Sequence, residues 1–252
     1  MVQLSRQVSY MNNTIYYRSE YLEIIHLKNK SITYNEHNHV SVYIIGLIIE
    51  GIVTLKCDEQ IAFFSSDSFF VIRPYQIHGL LLPENYNMLS LCIHKDLVSK
   101  NKPNNLFNML IDILSQSLLT VNPALLANAI EALYHCEPFQ PFDSNIMSSA
   151  YILWKNPENN ICVQSMADSI YFSKYHYIKR FKQIIGMTPH KFQLQNKVRK
   201  AQRLIEDGEP LTSIATGLGF YDQSHFIKCF KNIVGITPSE YKRSFKRLQS
   251  LY

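Results

Sequence analysis

Between about Glu20 and Ile93, apolar residues come in short runs broken by polar turns. The runs cover residues 21–27, 42–50, 52–55, 61–64, 69–72, 79–82 and 88–93, and are rich in Ile, Val, Tyr and Phe. Breaks fall at His37-Asn38-His39, Cys57-Asp58-Glu59, Ser65-Ser66-Asp67, Arg73-Pro74-Tyr75 and Pro83-Glu84-Asn85. Many short strands at this spacing predict a β-sandwich or small barrel. The pattern changes after Asn101-Lys102-Pro103. Leu106, Met109, Leu110, Ile113 and Leu114 recur at steps of three and four, the signature of one apolar helix face. A second helix is expected over residues 123–136, with Leu125, Leu126, Ala129, Ile130 and Leu133 on its apolar side. Either both helices pack on the β-domain, or the first forms a dimer seam. Residues 138–143, with two prolines, read as a linker.

The last hundred residues contain an internal repeat. Phe181 aligns with Phe230, Lys182 with Lys231, Gly186 with Gly235, Thr188-Pro189 with Thr237-Pro238, and His176 with His225. Each copy reads as helix, tight turn, helix. In the first, Val163, Met166, Ala167 and Ile170 form one face, Ser173 caps the next helix, and Tyr177 and Phe181 face the core. In the second, Leu211, Ile214, Ala215 and Leu218 form the face, Asp222 is the cap, and Phe226 and Phe230 are the core pair. Gly186 is expected to end its helix in a left-handed cap. This layout is that of two helix-turn-helix units. Residues 189–205 predict a long amphipathic helix between them, with Lys197, Arg199, Lys200 and Arg203 on its solvent side. Such a spacer would set two recognition helices about one DNA turn, roughly 34 Å, apart.

Charge sharpens the division. Residues 1–149 carry a net −4 and residues 150–252 a net +9, so a polyanion partner is expected for the second half only. The 46% hydrophobic content excludes a disordered chain. The N-terminal ten residues lack the apolar core of a signal peptide, and no run reaches the length of a membrane span. Five scattered cysteines without a C-x-x-C pair fit a reducing cytoplasm and argue against a zinc finger. A cytoplasmic, nucleoid-associated location is expected.

Residues 167–189, Lys197-Val198-Arg199-Lys200-Ala201-Gln202-Arg203-Leu204-Ile205, Gly217-Leu218-Gly219-Phe220-Tyr221-Asp222-Gln223-Ser224-His225-Phe226 and Gly235-Ile236-Thr237-Pro238 resemble the AraC/XylS family of bacterial transcription regulators. The resemblance spans roughly residues 145–247. It implies base-facing positions at Tyr175, Ile178 and Lys179 in the first recognition helix, and at Gln223, Ser224, His225 and Lys228 in the second. Gln reads adenine bidentately and Lys reaches guanine acceptors, whereas Ile178 offers only apolar contact. Surface packing is the alternative role for Tyr175 and His225. For Lys174, Arg180, Lys182, Lys200 and Lys231, phosphate contact or plain solvation is expected rather than base reading.

Residues 15–95 resemble the cupin-like sensor domain found in such regulators, on the strength of His37-Asn38-His39, residues 43–51 and Pro74-Tyr75-Gln76-Ile77-His78. Metal-binding cupins add a Glu to this histidine set, but Tyr43 or Ile44 stands there and Glu50 lies too far along. Neither a metal nor a cofactor is therefore expected. His37, His39, Tyr43, Arg73, Tyr75 and His78 are instead expected to line an effector pocket, with Arg73 suited to a carboxylate or phosphate. The histidines otherwise serve local backbone groups, and Glu36 is placed to pair with one of them. The expected architecture is α+β: a cupin-like effector-binding and dimerisation domain over residues 1–136, then an all-α DNA-binding domain over residues 145–252. The partners implied are double-stranded DNA, a small-molecule effector and a second copy of the chain, with RNA polymerase a candidate and no membrane. The competing readings are a constitutive regulator that uses the barrel only to dimerise, and a metal-dependent cupin enzyme.

Overall fold

The computed structural model describes residues 14–58, 60–137, 143–159 and 161–248. The leading ten residues and residues 138–142 of the expected linker lie outside the described residues. The N-terminal half is a curled sheet of β1 (Thr14–Arg18), β2 (Leu22–Lys28), β3 (Ile32–His37), β4 (Val42–Cys57), β5 (Gln60–Ser65), β6 (Ser68–Ile72), β7 (His78–Leu82) and β8 (Tyr86–His94). Its order is β3-β7-β4-β8-β2-β1, with β5 and β6 also paired to β4. The runs at 42–50 and 52–55 are a single strand, not two strands joined by a turn. Gly51 sits inside β4 at φ +85°, and the register against β8 shifts between Ile48 and Glu50. A side chain there would meet the Asn85 carbonyl oxygen at 2.3 Å, so glycine allows the bulge. The bulge bends β4, whose first part pairs with β6 and whose last part pairs with β5 and β7.

Both faces of this sheet are buried, which is why residues 42–49 are continuously apolar instead of alternating. Ile44 and Ile48 point into the concave core with Leu27, Phe70, Ile72, Leu82 and Met88. Ile45 and Leu47 point outward, under α2 (Pro103–Gln116) and α3 (Pro123–His135), which follow the short α1 (Lys95–Lys100). Leu106, Leu110, Ile113 and Leu114 of α2 are all buried there. The apolar stripe of α2 is therefore used inside the chain, as the packing alternative required.

The C-terminal half comprises α4 (Ser144–Lys155), α5 (Val163–Asp168), α6 (Lys174–Ile185), α7 (Pro189–Glu206), α8 (Leu211–Gly217), α9 (Gln223–Val234), α10 (Pro238–Ser244) and the short strand β9 (Phe245–Arg247). Its caps explain its punctuation. Ser173 accepts from the His176 N–H at 3.3 Å and Asp222 from the His225 N–H at 2.7 Å. Thr188 and Thr237 cap α7 and α10 ahead of prolines in the first turn, which need no N–H partner. Two separate cores result. Ile146, Leu153, Met166, Tyr177, Phe181 and Phe192 fill the first unit, and Ile205, Ile214, Phe226, Phe230 and Tyr241 the second. The spacer α7 contributes Phe192 to one and Val198, Ala201 and Ile205 to the other.

The solvent face expected for α7 is covered in part, with Arg203 exposed. Lys197 is buried and donates to the Gly219 carbonyl at 3.1 Å, Lys200 pairs with Glu158 at 2.8 Å, and Arg199 turns into the N-terminal half. The helix is enclosed because it lies between both units and the sheet. Contact between the halves is extensive. The strand β9 adds to β1 in parallel, Tyr16 donates to the Val234 carbonyl at 3.3 Å, and Arg18 pairs with Glu206 at 2.8 Å. The two repeat glycines close the docking. Gly186 and Gly235 end α6 and α9 at φ +84° and +85°. A side chain on Gly186 would strike the Ile77 Cδ1 at 2.0 Å, and one on Gly235 the Ile32 Cγ2 at 2.8 Å. Each unit thus rests its cap against the sheet.

Most of the polar contact converges on Asn38, which is fully buried. Its N–H donates to Gln195 Oε1 at 3.2 Å, its carbonyl accepts from Gln195 Nε2 at 2.8 Å and Arg199 Nη2 at 3.1 Å, and its side-chain amide donates to the Ile185 carbonyl at 2.8 Å.

Two outcomes follow from this docking. Gly186→Ala should lower stability by about 1–2 kcal/mol through its left-handed backbone alone, and by more through Ile77. In an Ile77→Ala background that excess should disappear in urea melts; an equal cost in both backgrounds would show that the contact is not felt. Asn38→Ala should cost about 1–3 kcal/mol, since it strands a buried side-chain donor's partners. A double-mutant cycle with Gln195→Ala should show coupling, and strict additivity would refute the shared network.

Candidate nucleic-acid interface and interdomain cavity

The second members of the two helix-turn-helix units, α6 and α9, present one buried and one open face. Tyr177, Phe181 and Ile185 are buried on α6, and Phe226, Cys229, Phe230 and Val234 on α9. On the open side stand Tyr175 and Lys179 in the first unit, and Gln223, Ser224, His225 and Lys228 in the second. Ile178 is only half-exposed and packs against the first unit's core. His225 is anchored: its Nδ1 accepts from the Tyr221 N–H at 3.4 Å, and its ring meets Phe220 edge-on. His176, its counterpart, stacks on Phe172 at 4.2 Å. The repeated histidine thus braces the turn onto its helix in both units.

The cationic set divides. Lys174, Lys182 and Lys231 are exposed on the recognition helices. Arg180 pairs with Asp143 at 3.1 Å and Lys200 with Glu158 at 2.8 Å, so both have carboxylate partners inside the domain. Two residues absent from the sequence reading also belong to this face. Tyr171 and Tyr221 are 98% and 92% exposed in the turns before α6 and α9. Aligning Phe172 with Phe220 sets Tyr171 opposite Gly219, and both have positive φ.

A cavity of about 70 Å³ lies between the concave face of the sheet and α7 and α9. Ile25, Leu27, Ile44, Ile72, Leu80 and Ile233 form its apolar wall. Glu23, Tyr34, His37, His39, His78, Arg199 and Gln202 supply polar groups. Arg199 is held by the Asn38 carbonyl and by His39 Nε2 at 3.2 Å. Burial pushes its guanidinium down to about 10. Its Nε and Glu23 Oε1 are buried with no hydrogen-bond partner, an arrangement that costs stability unless something else satisfies it.

Of the six residues expected at a pocket, His37, His39 and His78 line this cavity. Tyr43 packs instead under the helices, Arg73 donates to the Glu137 carbonyl at 3.4 Å, and Tyr75 packs against the first unit's core. Alternation explains Tyr43: its neighbour Ile44 takes the concave side. Glu36 pairs with Lys56 at 2.6 Å rather than with a histidine. Sequence reading missed Glu23, Arg199 and Gln202. The cation facing the cavity comes from the other half of the chain.

Residues 166–244 match the family model described as a helix-turn-helix domain. Comparison with curated proteins gave no match. Among solved structures, ToxT from Vibrio cholerae O395 aligns with a TM-score of 0.62 at 14% identity, over 91% of this chain and 98% of that one. Wild-type ToxT from Vibrio cholerae strain SCE256, solved with an unsaturated fatty acid bound, aligns with a TM-score of 0.60 at 17% identity, over 92% and 96%. A Chromobacterium violaceum regulator with an AraC-type DNA-binding domain aligns at 23% identity over 39% of this chain and 89% of that one, with a TM-score of 0.37. At these identities the ToxT likeness is one of fold: a curled half-barrel followed by helices and paired helix-turn-helix units. Among the described residues no helix is long and apolar enough to cross a membrane. The chain therefore carries a helix-turn-helix domain at residues 166–244 behind an N-terminal half-barrel, in the fold seen in ToxT.

Proposed function

We propose that this protein reads a specific DNA sequence through α6 and α9 and that a small molecule in the interdomain cavity controls that reading. On this view residues 1–136 bind the effector and dimerise, and residues 145–252 bind DNA. One observation carries the proposal: Arg199, on the spacer helix of the DNA-binding half, forms part of the cavity wall. Any occupant would touch both halves at once, and would favour whichever arrangement it binds more tightly. The apolar wall beside Arg199 suits an amphipathic molecule with an acidic or hydrogen-bonding head. The fatty acid bound to ToxT, which has the same fold, is one molecule of that chemistry.

The two units are expected to read differently. Gln223, Ser224 and Lys228 give α9 hydrogen-bonding groups, with His225 partly committed to its turn. Tyr175, Lys179 and the half-covered Ile178 give α6 a more apolar face. Lys174, Lys182 and Lys231 are placed for phosphates. For a homodimer, Phe63 and Leu81 flank Thr54 on neighbouring strands and are exposed with Ile52 and Ile61, an apolar row fit for a second copy. Light scattering on wild type and Phe63→Lys tests this, and a wild-type monomer at high concentration would refute it.

Lys228→Ala should weaken binding to the selected site by about 1–3 kcal/mol and relax preference at one base pair. An equal loss on every sequence would reassign Lys228 to phosphate. Long-chain carboxylic acids should raise the melting temperature and change DNA affinity, and Arg199→Gln should abolish both effects. A melting temperature unmoved by acids, alcohols and sugars alike would favour the constitutive reading.

A further inference from the structure

The turn that leads into each recognition helix carries one exposed tyrosine, and the two units place it by different backbones. Helix α5 ends in a left-handed cap: the Phe172 N–H donates to the Ala167 carbonyl at 2.9 Å, and the Tyr171 N–H to the Asp168 carbonyl at 3.1 Å. Helix α8 ends with the same pair of bonds, from Phe220 to Ala215 at 3.1 Å and from Gly219 to Thr216 at 3.0 Å. The left-handed residue is Gly219 at φ +65° in the second unit, but Tyr171 at φ +58° in the first. Gly186, Gly208 and Gly235 take the other positive φ values in this half, so Tyr171 is the exception there among the described residues.

A Cβ in this conformation crowds the backbone, and glycine avoids that cost. Strain of this kind persists where something offsets it, and such residues cluster at functional sites. Packing within the chain does not offset it, because Tyr171 is 98% exposed. The second unit reaches the same end by another route. Glycine holds the left-handed position, and one extra residue, Tyr221, precedes the cap Asp222 and is 92% exposed. In the first unit Phe172 stands directly before its cap, Ser173. The units thus differ in turn length and in the residue at the strained position, yet both present a phenol at the start of the recognition helix.

That end of a recognition helix enters the major groove, and the chain beside it meets the phosphates that line the groove. A tyrosine hydroxyl is a neutral donor, and a phosphate oxygen is an acceptor. The ring carries the hydroxyl far from the backbone with few rotamers to order on binding. We propose that Tyr171 and Tyr221 are phosphate contacts that seat α6 and α9 in their grooves, each hydroxyl donating to one phosphate. The inference rests on the DNA-binding reading and adds to it the residues that set the depth and angle of the two helices. Neutral donors displace no counterions, so these contacts add affinity without steepening its salt dependence.

The test uses full-length protein, duplex DNA selected by the wild type from a random pool, and unselected duplex. Tyr171→Phe and Tyr221→Phe should each weaken binding about 10-fold on both DNAs, with an unchanged melting temperature and an unchanged slope of log affinity against log salt. Tyr171→Gly should lose at least as much affinity while its melting temperature rises by about 2–4 °C, as the strain is relieved. A lower melting temperature in Tyr171→Gly would make Tyr171 a structural residue and overturn its role. Full affinity in either phenylalanine variant overturns that contact. A loss confined to the selected duplex overturns the phosphate assignment in favour of a base, and a flatter salt slope overturns it in favour of lost cationic contacts. Wild-type protein that binds neither duplex removes the DNA-binding reading itself; wild-type binding matched by the variants removes the tyrosine contacts alone.

Discussion

The arrangement of the whole chain depends on burying Asn38 between the two halves. Its backbone and side chain bond to Gln195, Arg199 and the Ile185 carbonyl, so a polar loop of the half-barrel is satisfied by groups of the DNA-binding half. Buried polar groups are costly when unpaired and directional when paired. Separating the halves into water is tolerable, but sliding them while dry is not. That favours one defined docked arrangement.

The repeat takes part in this docking. Each unit ends its recognition helix with a left-handed glycine, and each glycine abuts the half-barrel, one at Ile77 and the other at Ile32 and Tyr34. A residue type needed for a helix cap also permits close approach of another domain. The recognition faces point away from these contacts, with Tyr175 and the α9 residues Gln223, Ser224 and Lys228 open. Docking therefore leaves these exposed faces of α6 and α9 bare while fixing the units' relative placement through α7.

Arg199 joins the two halves. It completes the Asn38 network, touches His39, and keeps one donor without a partner beside an unpartnered Glu23 oxygen. A fully satisfied interface would be rigid. This one has spare hydrogen-bonding capacity in the cavity wall.

The local features were legible because they depend on neighbours in sequence. Periodicity located α2, α3, α7 and both helix-turn-helix units, and Ser173, Asp222, Gly186 and Gly235 marked helix ends by cap chemistry. The apolar runs that form β5 to β8 were readable for the same reason. Less visible were β3 and β9, edge strands whose pairing partners are remote, and β1, a five-residue strand between β2 and β9. Gly51 looked like a turn because sequence cannot distinguish a reversal from a bulge whose partner, Tyr86, is 35 positions away. Lys197 and Arg199 looked solvated because amphipathicity records one buried face, whereas α7 packs against both units and the sheet. His37, His39 and His78 could be named from sequence, but their convergence required the β3–β7 ladder. What the sequence alone determined was a DNA-binding repeat behind a β-rich domain, since periodicity and capping are local. Only the tertiary structure decided that Arg199 faces those histidines, because burial and hydrogen bonding across about 160 positions depend on how the halves pack.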